Sequence, residues 1–425
     1  MRLKLTPSAG GLTRRRLKAA IYVPILGLGM ALTMVRVLVY ARILSNQAFA
    51  ELNLVLIIST ISMTFVGFGL FSDLQRKMPI DLQRHAVALA VARLVLAIAG
   101  TLAVASVGLP LVLAAAASGL LAPIAGPIGI VHGLSQQLFL AATTESRSAR
   151  ETLRYSTQSL VRALLIIGLA VPVAMASGSA VMALATEALL NFAAAGLIIL
   201  RTTSRYNIRR EEVLRQLSGL WKQVNTSAMA YLVLFSFVVA ASSNVDRWLA
   251  AKFLPTTEFA YYSFAAIITM MAYSTQALLN AAIYPAIAGR LAISPESAFR
   301  MSAKSSCAML ACGLIACLPG IPLAKWIISS HFPDYLDALP LITAMAISGA
   351  FRLANFWTSF LIIAEMQRLA LVANLAAMLL PLAGWSLVST PSTVSIAYLA
   401  LAVSVCSFLF SMFGTFYARS SSPIC

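Results

Sequence analysis

RTTSRYNIRREEVLRQLSGLWK, residues 201–222, decides how this 425-residue chain is organised. It places Arg201, Arg205, Arg209, Arg210, Arg215 and Lys222 among few apolar residues, and six long apolar stretches lie on either side of it. The stretches fall at approximately 18–41, 50–72, 85–108, 110–141, 155–177 and 180–201, then 224–252, 258–285, 300–328, 338–364, 367–389 and 394–418. About 20 apolar residues are needed for a helix to cross a ~30 Å hydrocarbon layer, and these runs meet that length. With 60% hydrophobic and 11% charged residues, the composition excludes an ordinary soluble domain. The expected fold class is an all-α polytopic membrane protein of about twelve transmembrane helices in two six-helix lobes.

Charge placement orients the chain. Of its 31 Lys and Arg, 23 fall in one alternate set of connections and tails, 3 in the other set, and 5 inside the apolar stretches. Lys and Arg concentrate on the cytoplasmic side of multi-spanning proteins. The expected domains are therefore a basic cytoplasmic N-terminus (1–17), a first lobe (18–201), a basic cytoplasmic linker (202–223), a second lobe (224–418) and a cytoplasmic tail (419–425). The net charge of +17 then reflects orientation and contact with anionic lipid heads, and nucleic acid is not expected as a partner. Arg14, Arg15, Arg16 and Lys18 look like the start of a signal peptide. The run that follows extends to about Ala41 without a small-x-small end, so it reads as a retained first helix. In the fourth stretch Pro123, Gly126 and Pro127 predict a kink or break.

The halves match locally at an offset of 210 residues. Ala41-Arg42-Ile43-Leu44-Ser45 with Phe49-Ala50 falls on Ala251-Lys252-Phe253-Leu254-Pro255 with Phe259-Ala260, and Ile57-Ile58 falls on Ile267-Ile268. Six spans per half give both halves the same orientation, so the repeats are parallel about an axis along the membrane normal. Substrate sites of such transporters lie between the halves.

No nucleotide-binding GxxxxGK[ST], no HExxH and no GxSxG occurs, so neither an enzyme nor a bound cofactor or metal is expected. Cys307, Cys312 and Cys317 are spaced by five along one stretch, about 140° apart on a helix, and share no metal-binding face. The outer connections are short, the longest around Lys325–Asp337, which leaves no sizeable acidic loop for glycan polymerisation or ligation.

The chemistry rests on charges within the spans: Arg36, Arg93, Arg162, Glu187, Asp246, Arg247 and Arg352. A charge at mid-bilayer costs about 2.5–3.5 kcal/mol on insertion scales, so such groups face protein or a watery cavity unless they snorkel. Arg36 and Arg93 lie near span ends and have either option. Arg352 lies about 18–20 Å from either end of its span, too far for an Arg side chain, and is expected to point inward with Asn355 one turn on. Arg162 shares a helix face with Tyr155, Gln158 and Ser159, a polar stripe that reads either as a cavity wall or as a packed interface. Asp246 and Arg247 are adjacent, about 100° apart, so each is expected to pair with another helix. Arg36 comes within one position of Asp246 at the repeat offset. His132, after the fourth-span break, reads as a helix-to-helix hydrogen bond or a proton-coupling group. Several arginines with few acids suit a negatively charged substrate, since guanidinium matches phosphate oxygens.

Two segments carry a family resemblance. One runs from Arg36 to Pro79, with Ala41-Arg42-Ile43-Leu44, Phe49-Ala50 and Gly67-Phe68-Gly69-Leu70. The other holds Asn244-Val245-Asp246-Arg247-Trp248-Leu249, then Phe259-Ala260-Tyr261-Tyr262-Ser263-Phe264-Ala265, and ends at Tyr284-Pro285. They resemble the polysaccharide-transport branch of the multidrug/oligosaccharidyl-lipid/polysaccharide exporter superfamily, with Ala260 where that family's helix start usually has Gly. The resemblance implies two lobes related by pseudo-two-fold symmetry around a V-shaped central cavity. It also implies a monomeric flippase of the bacterial inner membrane that moves polyprenyl-pyrophosphate-linked oligosaccharide beside a glycan polymerase or ligase. Arg352, Arg247, Asp246, Arg162, Arg36, Asn355 and Glu187 are the candidate binding residues. The alternatives are a peptidoglycan-precursor flippase, a drug or cation antiporter of the same superfamily, and a membrane glycan polymerase or ligase. An antiporter needs a dominant buried carboxylate in the first lobe, for which Glu187 is the deep candidate.

Overall fold

A computed structural model describes residues 9–66, 70–117, 125–149, 151–207, 209–222, 226–291, 293–364, 366–388 and 390–421. In hydrocarbon every backbone N–H and C=O must be bonded within its own segment, and apolar runs of this length become helices. They are α1 (Ala9–Ile43), α2 (Asn46–Val66), α3 (Leu70–Gln83), α4 (Val87–Ala117), α5 (Ala125–Ser148) and α6 (Thr152–Leu165). A π-helical turn, Ile166–Ala170, joins α6 to α7 (Val171–Ser177), and α8 (Ala180–Tyr206) and α9 (Arg210–Lys222) follow. Then come α10 (Thr226–Phe253), α11 (Thr256–Leu291) and α12 (Pro295–His331), a 3₁₀ segment Pro333–Leu341, α13 (Ile342–Leu353), α14 (Trp357–Ile363), α15 (Gln367–Trp385) and α16 (Thr393–Ser421). Among the described residues eight helical runs are long and apolar enough to cross a membrane: Pro24–Ile43, Val87–Ser106, Thr152–Ser177, Ala180–Tyr206, Pro295–His331, Pro333–Ile363, Gln367–Trp385 and Thr393–Arg419. The chain is a multi-pass membrane protein. Helices α2, α5, α10 and α11 occupy the remaining expected spans.

The chain divides into two compact units, Met1–Ile43 with Ile58–Leu232, and Leu44–Ile57 with Val233–Cys425. In the first unit α5 packs along α8, α1 along α6, and α4 against α3, α5 and α9. Leu74, Met78, Ala90, Leu94, Ala97 and Ala141 form one core there. Gly133 lets α5 approach α2 closely, since a Cβ at that position would lie 2.5 Å from the Ser59 carbonyl oxygen. In the second unit α13 packs against α11, α12 and α16, and α15 packs along α16. Its core gathers Phe299, Trp357, Phe360 and Phe408.

The repeat offset reappears in the backbone. Helix α1 ends at Ile43 and α2 starts at Asn46, while α10 ends at Phe253 and α11 starts at Thr256, each boundary shifted by 210 residues. Several boundaries differ from those read in the sequence. Residues 44–57, expected in the first lobe, cluster with the second unit. There Phe49, fully buried, stands edge-on to Tyr335 at 5.7 Å. Helix α4 continues to Ala117, and α5 begins at Ala125 with Gly126 and Pro127 in its first turn, where proline removes no helical bond; Pro123 lies outside the described residues. The linker is substantially helical: α8 extends to Tyr206, closes on Asn207 in the left-handed region (φ 44°), and α9 follows.

Candidate functional site

The first unit buries a polar cluster around Glu187 on α8. Its carboxylate pairs with the Arg36 guanidinium from α1 and accepts a 2.7 Å hydrogen bond from the Tyr40 hydroxyl. The His132 ring lies on the same carboxylate at 3.2 Å from Nε2, while Nδ1 meets the Ser59 hydroxyl of α2 at 2.9 Å. Side chains of α1 and α5 thus meet on one fully buried carboxylate of α8, with α2 joined to it through His132. Arg36, exposed by only 6%, does not snorkel. Pairing with opposite charge and hydrogen-bond donors is what makes such burial tolerable. Arg93, the other arginine near a span end, donates from Nε to Asp81 at 2.6 Å.

Arg162 joins this cluster indirectly. Its Nε donates to Asn191 Oδ1 at 2.6 Å, Asn191 donates to Ser135 at 3.3 Å, and the guanidinium lies 4.5 Å from the centre of the Phe139 ring. The rest of its stripe packs too: Gln158 accepts from Ser146, and Arg147 lies over Tyr155. Arg36, Ser159 and Arg162 share a small gap of about 20 Å³ between α1 and α6.

The second unit contains a polar cavity of about 210 Å³ walled by α10, α11, α13, α14, α15 and α16. Among the described residues Arg352 is the one charged residue in its wall, beside Ser242, Ser243, Tyr273, Gln276, Asn280 and Asn355 with Thr358, Ser359, Asn374, Ser404 and Ser407. Arg352 Nε donates to Ser404 at 2.8 Å and Nη1 to the Ser243 carbonyl at 3.1 Å, and its guanidinium lies 4.9 Å from the Tyr273 ring centre. The inward orientation expected from its depth is what the structure has. Asn355 is not a simple helical turn further on, however. The helix breaks after Leu353, and Asn355 sits in the gap before α14, donating to Ser407 at 3.1 Å. Gln276 caps the break by donating to the Asn355 carbonyl at 3.0 Å.

Asp246 and Arg247 take separate partners. Tyr262 of α11 donates to Asp246 Oδ2 at 2.7 Å, while Oδ1 is buried with no hydrogen-bond partner among the described residues. Arg247 bonds Asn244 one turn back on its own helix and reaches Met270 Sδ of α11 at 3.5 Å. Neither residue lines the Arg352 cavity. The sequence reading passed over Ser404, Ser407, Ser411 and Thr415, whose i, i+3, i+7, i+11 spacing makes a hydroxyl stripe on α16. Three of them meet Arg352, Asn355 and Thr358, the last with Ser411 at 2.9 Å. Also passed over were Tyr40 and Ser59 as partners of the Glu187 cluster.

A helical, multi-pass membrane protein with a separate polar centre in each of two repeat-related units is the class these observations define. Solved structures narrow the fold to that of the MATE transporters of the MOP superfamily. A mutant of the Vibrio cholerae MATE transporter VcmN matches with TM-score 0.65 at 15% identity, over 96% of this chain and 97% of that one. The eukaryotic MATE transporter AtDTX14 matches with TM-score 0.66 at 12% identity, over 95% and 96%. A MOP superfamily transporter from Pyrococcus furiosus, described as having a binding pocket of reversed polarity that suggests a different function, matches with TM-score 0.60 at 14% identity, over 95% and 94%. No protein-family profile and no curated protein matches the chain.

Proposed function

We propose that this protein is a flippase of the bacterial inner membrane that translocates polyprenyl-pyrophosphate-linked oligosaccharide for polysaccharide biosynthesis. The observation that carries the reading is the Arg352 cavity: a guanidinium with no carboxylate among the described residues of the surrounding wall, set among hydroxyl, amide and phenol groups. Guanidinium pairs well with phosphate oxygens, and the ring of neutral hydrogen-bonding groups suits sugar hydroxyls. The first unit supports it from the other side. Glu187, the carboxylate a cation site would use, is already occupied by Arg36, Tyr40 and His132. Arg352 and Asn355 are assigned to the substrate, with rocking of the helical units carrying it across. Arg36, Glu187, Arg162, Asp246 and Arg247 are assigned to holding the lobes in shape.

Cation or drug antiport is the second reading, favoured by the fold shared with MATE transporters. One experiment separates the two. Purified protein in proteoliposomes receives a fluorescent polyprenyl-pyrophosphate oligosaccharide on one leaflet, and a lectin added outside reports its transbilayer movement. Movement by the wild type that Arg352→Ala abolishes supports the flippase. Exchange of a cationic dye against a proton or sodium gradient, with no movement of the glycolipid, overturns it.

A further inference from the structure

The first unit carries a second, larger concavity that the proposed transport cycle does not use. A groove of about 630 Å³ runs between α6 and α8. It exists because α5 packs closely along α8 while α6 lies mainly against α1, leaving α6 and α8 in contact over a short stretch only. Arg162, in the groove wall, lies over the Phe139 ring of α5. Along the groove Leu153, Val161, Leu165 and Leu197 are exposed apolar side chains.

The two ends differ. At one end stand Arg154, Arg201 and Arg205. Glu151 pairs with both Arg154 and Arg205, and Glu145 with Arg154, whereas Arg201 is exposed and forms no ion pair among the described residues. Three arginines therefore face two carboxylates, and one positive charge is left over beside an apolar trough. From Arg154 to Leu165 on α6, and from Arg205 to Ala194 on α8, the helices rise about 17 Å. That is close to half of a ~30 Å hydrocarbon layer. A groove one leaflet deep, mainly apolar along its length with Thr157, Gln158 and the Asn191-bonded Arg162 also in its wall, and basic at the interfacial end, has the dimensions and polarity of one lipid molecule.

We propose that this groove binds an anionic phospholipid of the surrounding bilayer, its phosphate at Arg201 and Arg205 and one acyl chain along Val161, Leu165 and Leu197. The unpaired guanidinium favours a headgroup with net negative charge, because a zwitterionic lipid would bring its ammonium toward the same arginines. The charge rule puts the basic end on the cytoplasmic side, where anionic lipid is attracted to basic segments. This site is independent of the cargo and does not rest on the flippase reading.

The test uses the full chain in phosphatidylcholine nanodiscs that contain a small fraction of photoactivatable phosphatidylglycerol or, in parallel, photoactivatable phosphatidylcholine. Crosslinked peptides are mapped by mass spectrometry. The expected result is preferential phosphatidylglycerol labelling of peptides covering 153–165 and 194–205, with loss of that preference in Arg201→Ala/Arg205→Ala and unchanged labelling elsewhere. Arg201→Ala alone breaks no ion pair and guards against misfolding of the double variant; it is expected to weaken the preference. Equal labelling by the two lipids in the wild type overturns the proposal, as does labelling that survives the double variant. Displacement by polyprenyl phosphate but not by excess phosphatidylglycerol also overturns it and assigns the groove to the cargo's tail.

Discussion

Replacing Arg36 by methionine would leave Glu187 fully buried with only Tyr40 and His132 to hold it. Breaking a buried ion pair from one side costs about 3–5 kcal/mol, because the remaining charge is left uncompensated. The cluster argues for the lower end of that range, since the Tyr40 hydroxyl keeps donating at 2.7 Å and the His132 ring stays at 3.2 Å from the carboxylate. About 3 kcal/mol is roughly two decades in the folding equilibrium. Adding Glu187→Gln removes the stranded charge while its amide still accepts from Tyr40 and donates to His132. The double variant is then expected to return to within about 1 kcal/mol of the wild type. Measured as a double-mutant cycle that includes Glu187→Gln alone, which strands the buried Arg36 in its turn, the coupling between positions 36 and 187 is expected to reach at least about 2 kcal/mol. The assay is equilibrium unfolding in mixed micelles with a rising fraction of denaturing detergent, at fixed protein concentration and salt. A single variant as stable as the wild type, or a double variant no better than the single, refutes the reasoning. The Arg36 pairing would then not be what occupies Glu187, and the antiport reading would gain what the flippase reading lost.

Other outcomes follow from the same geometry. Arg352→Lys is expected to keep insertion but cut glycolipid movement at least about tenfold, because one ammonium lacks the planar fork that serves Ser404 and Ser243 together; the lectin assay in proteoliposomes reads it. Gly133→Ala is expected to cost about 1–3 kcal/mol by forcing α5 away from the Ser59 carbonyl, and unfolding in mixed micelles measures it. Tyr262→Phe takes away the described donor to Asp246 and leaves both carboxylate oxygens unpaired in a buried site. A loss of about 1–3 kcal/mol is expected in the same unfolding assay, with transport by the surviving folded protein unchanged.

What could be read from residues alone was whatever depends on one helix at a time. The depth of Arg352 followed from counting rises, and its inward direction from the reach of one side chain. The serine stripe on α16 was open to the same treatment, since its spacing is visible without any partner. The bond between Arg36 and Glu187 was not, because it joins positions 151 apart and depends on how α1 and α8 meet. For the same reason nothing in residues 44–57 announced that Phe49 would dock on Tyr335. The break between α13 and α14 was hidden differently. Leu353-Ala354-Asn355-Phe356 holds neither proline nor glycine, and the interruption is sustained by Gln276, Ser407 and Ser302, which serve the freed backbone and the Asn355 side chain.

The π-turn at Ile166–Ala170 bears on how this chain is to be compared with any other. Such a turn carries one residue more than an α-helix of the same rise, so everything beyond it is rotated by about 100° relative to uniform winding. Gly168 is exposed there and has open space where a Cβ would project. Trimming one residue at Gly168 would return the span to regular winding, and the phase of Val171–Ser177 would be kept. The same deletion a turn earlier would swing buried Ala170 toward lipid, and a turn later it would do so to buried Ala174. This point in the span is where a change in chain length is best absorbed, and an alignment to a straight helix that omits a gap there pairs the wrong faces.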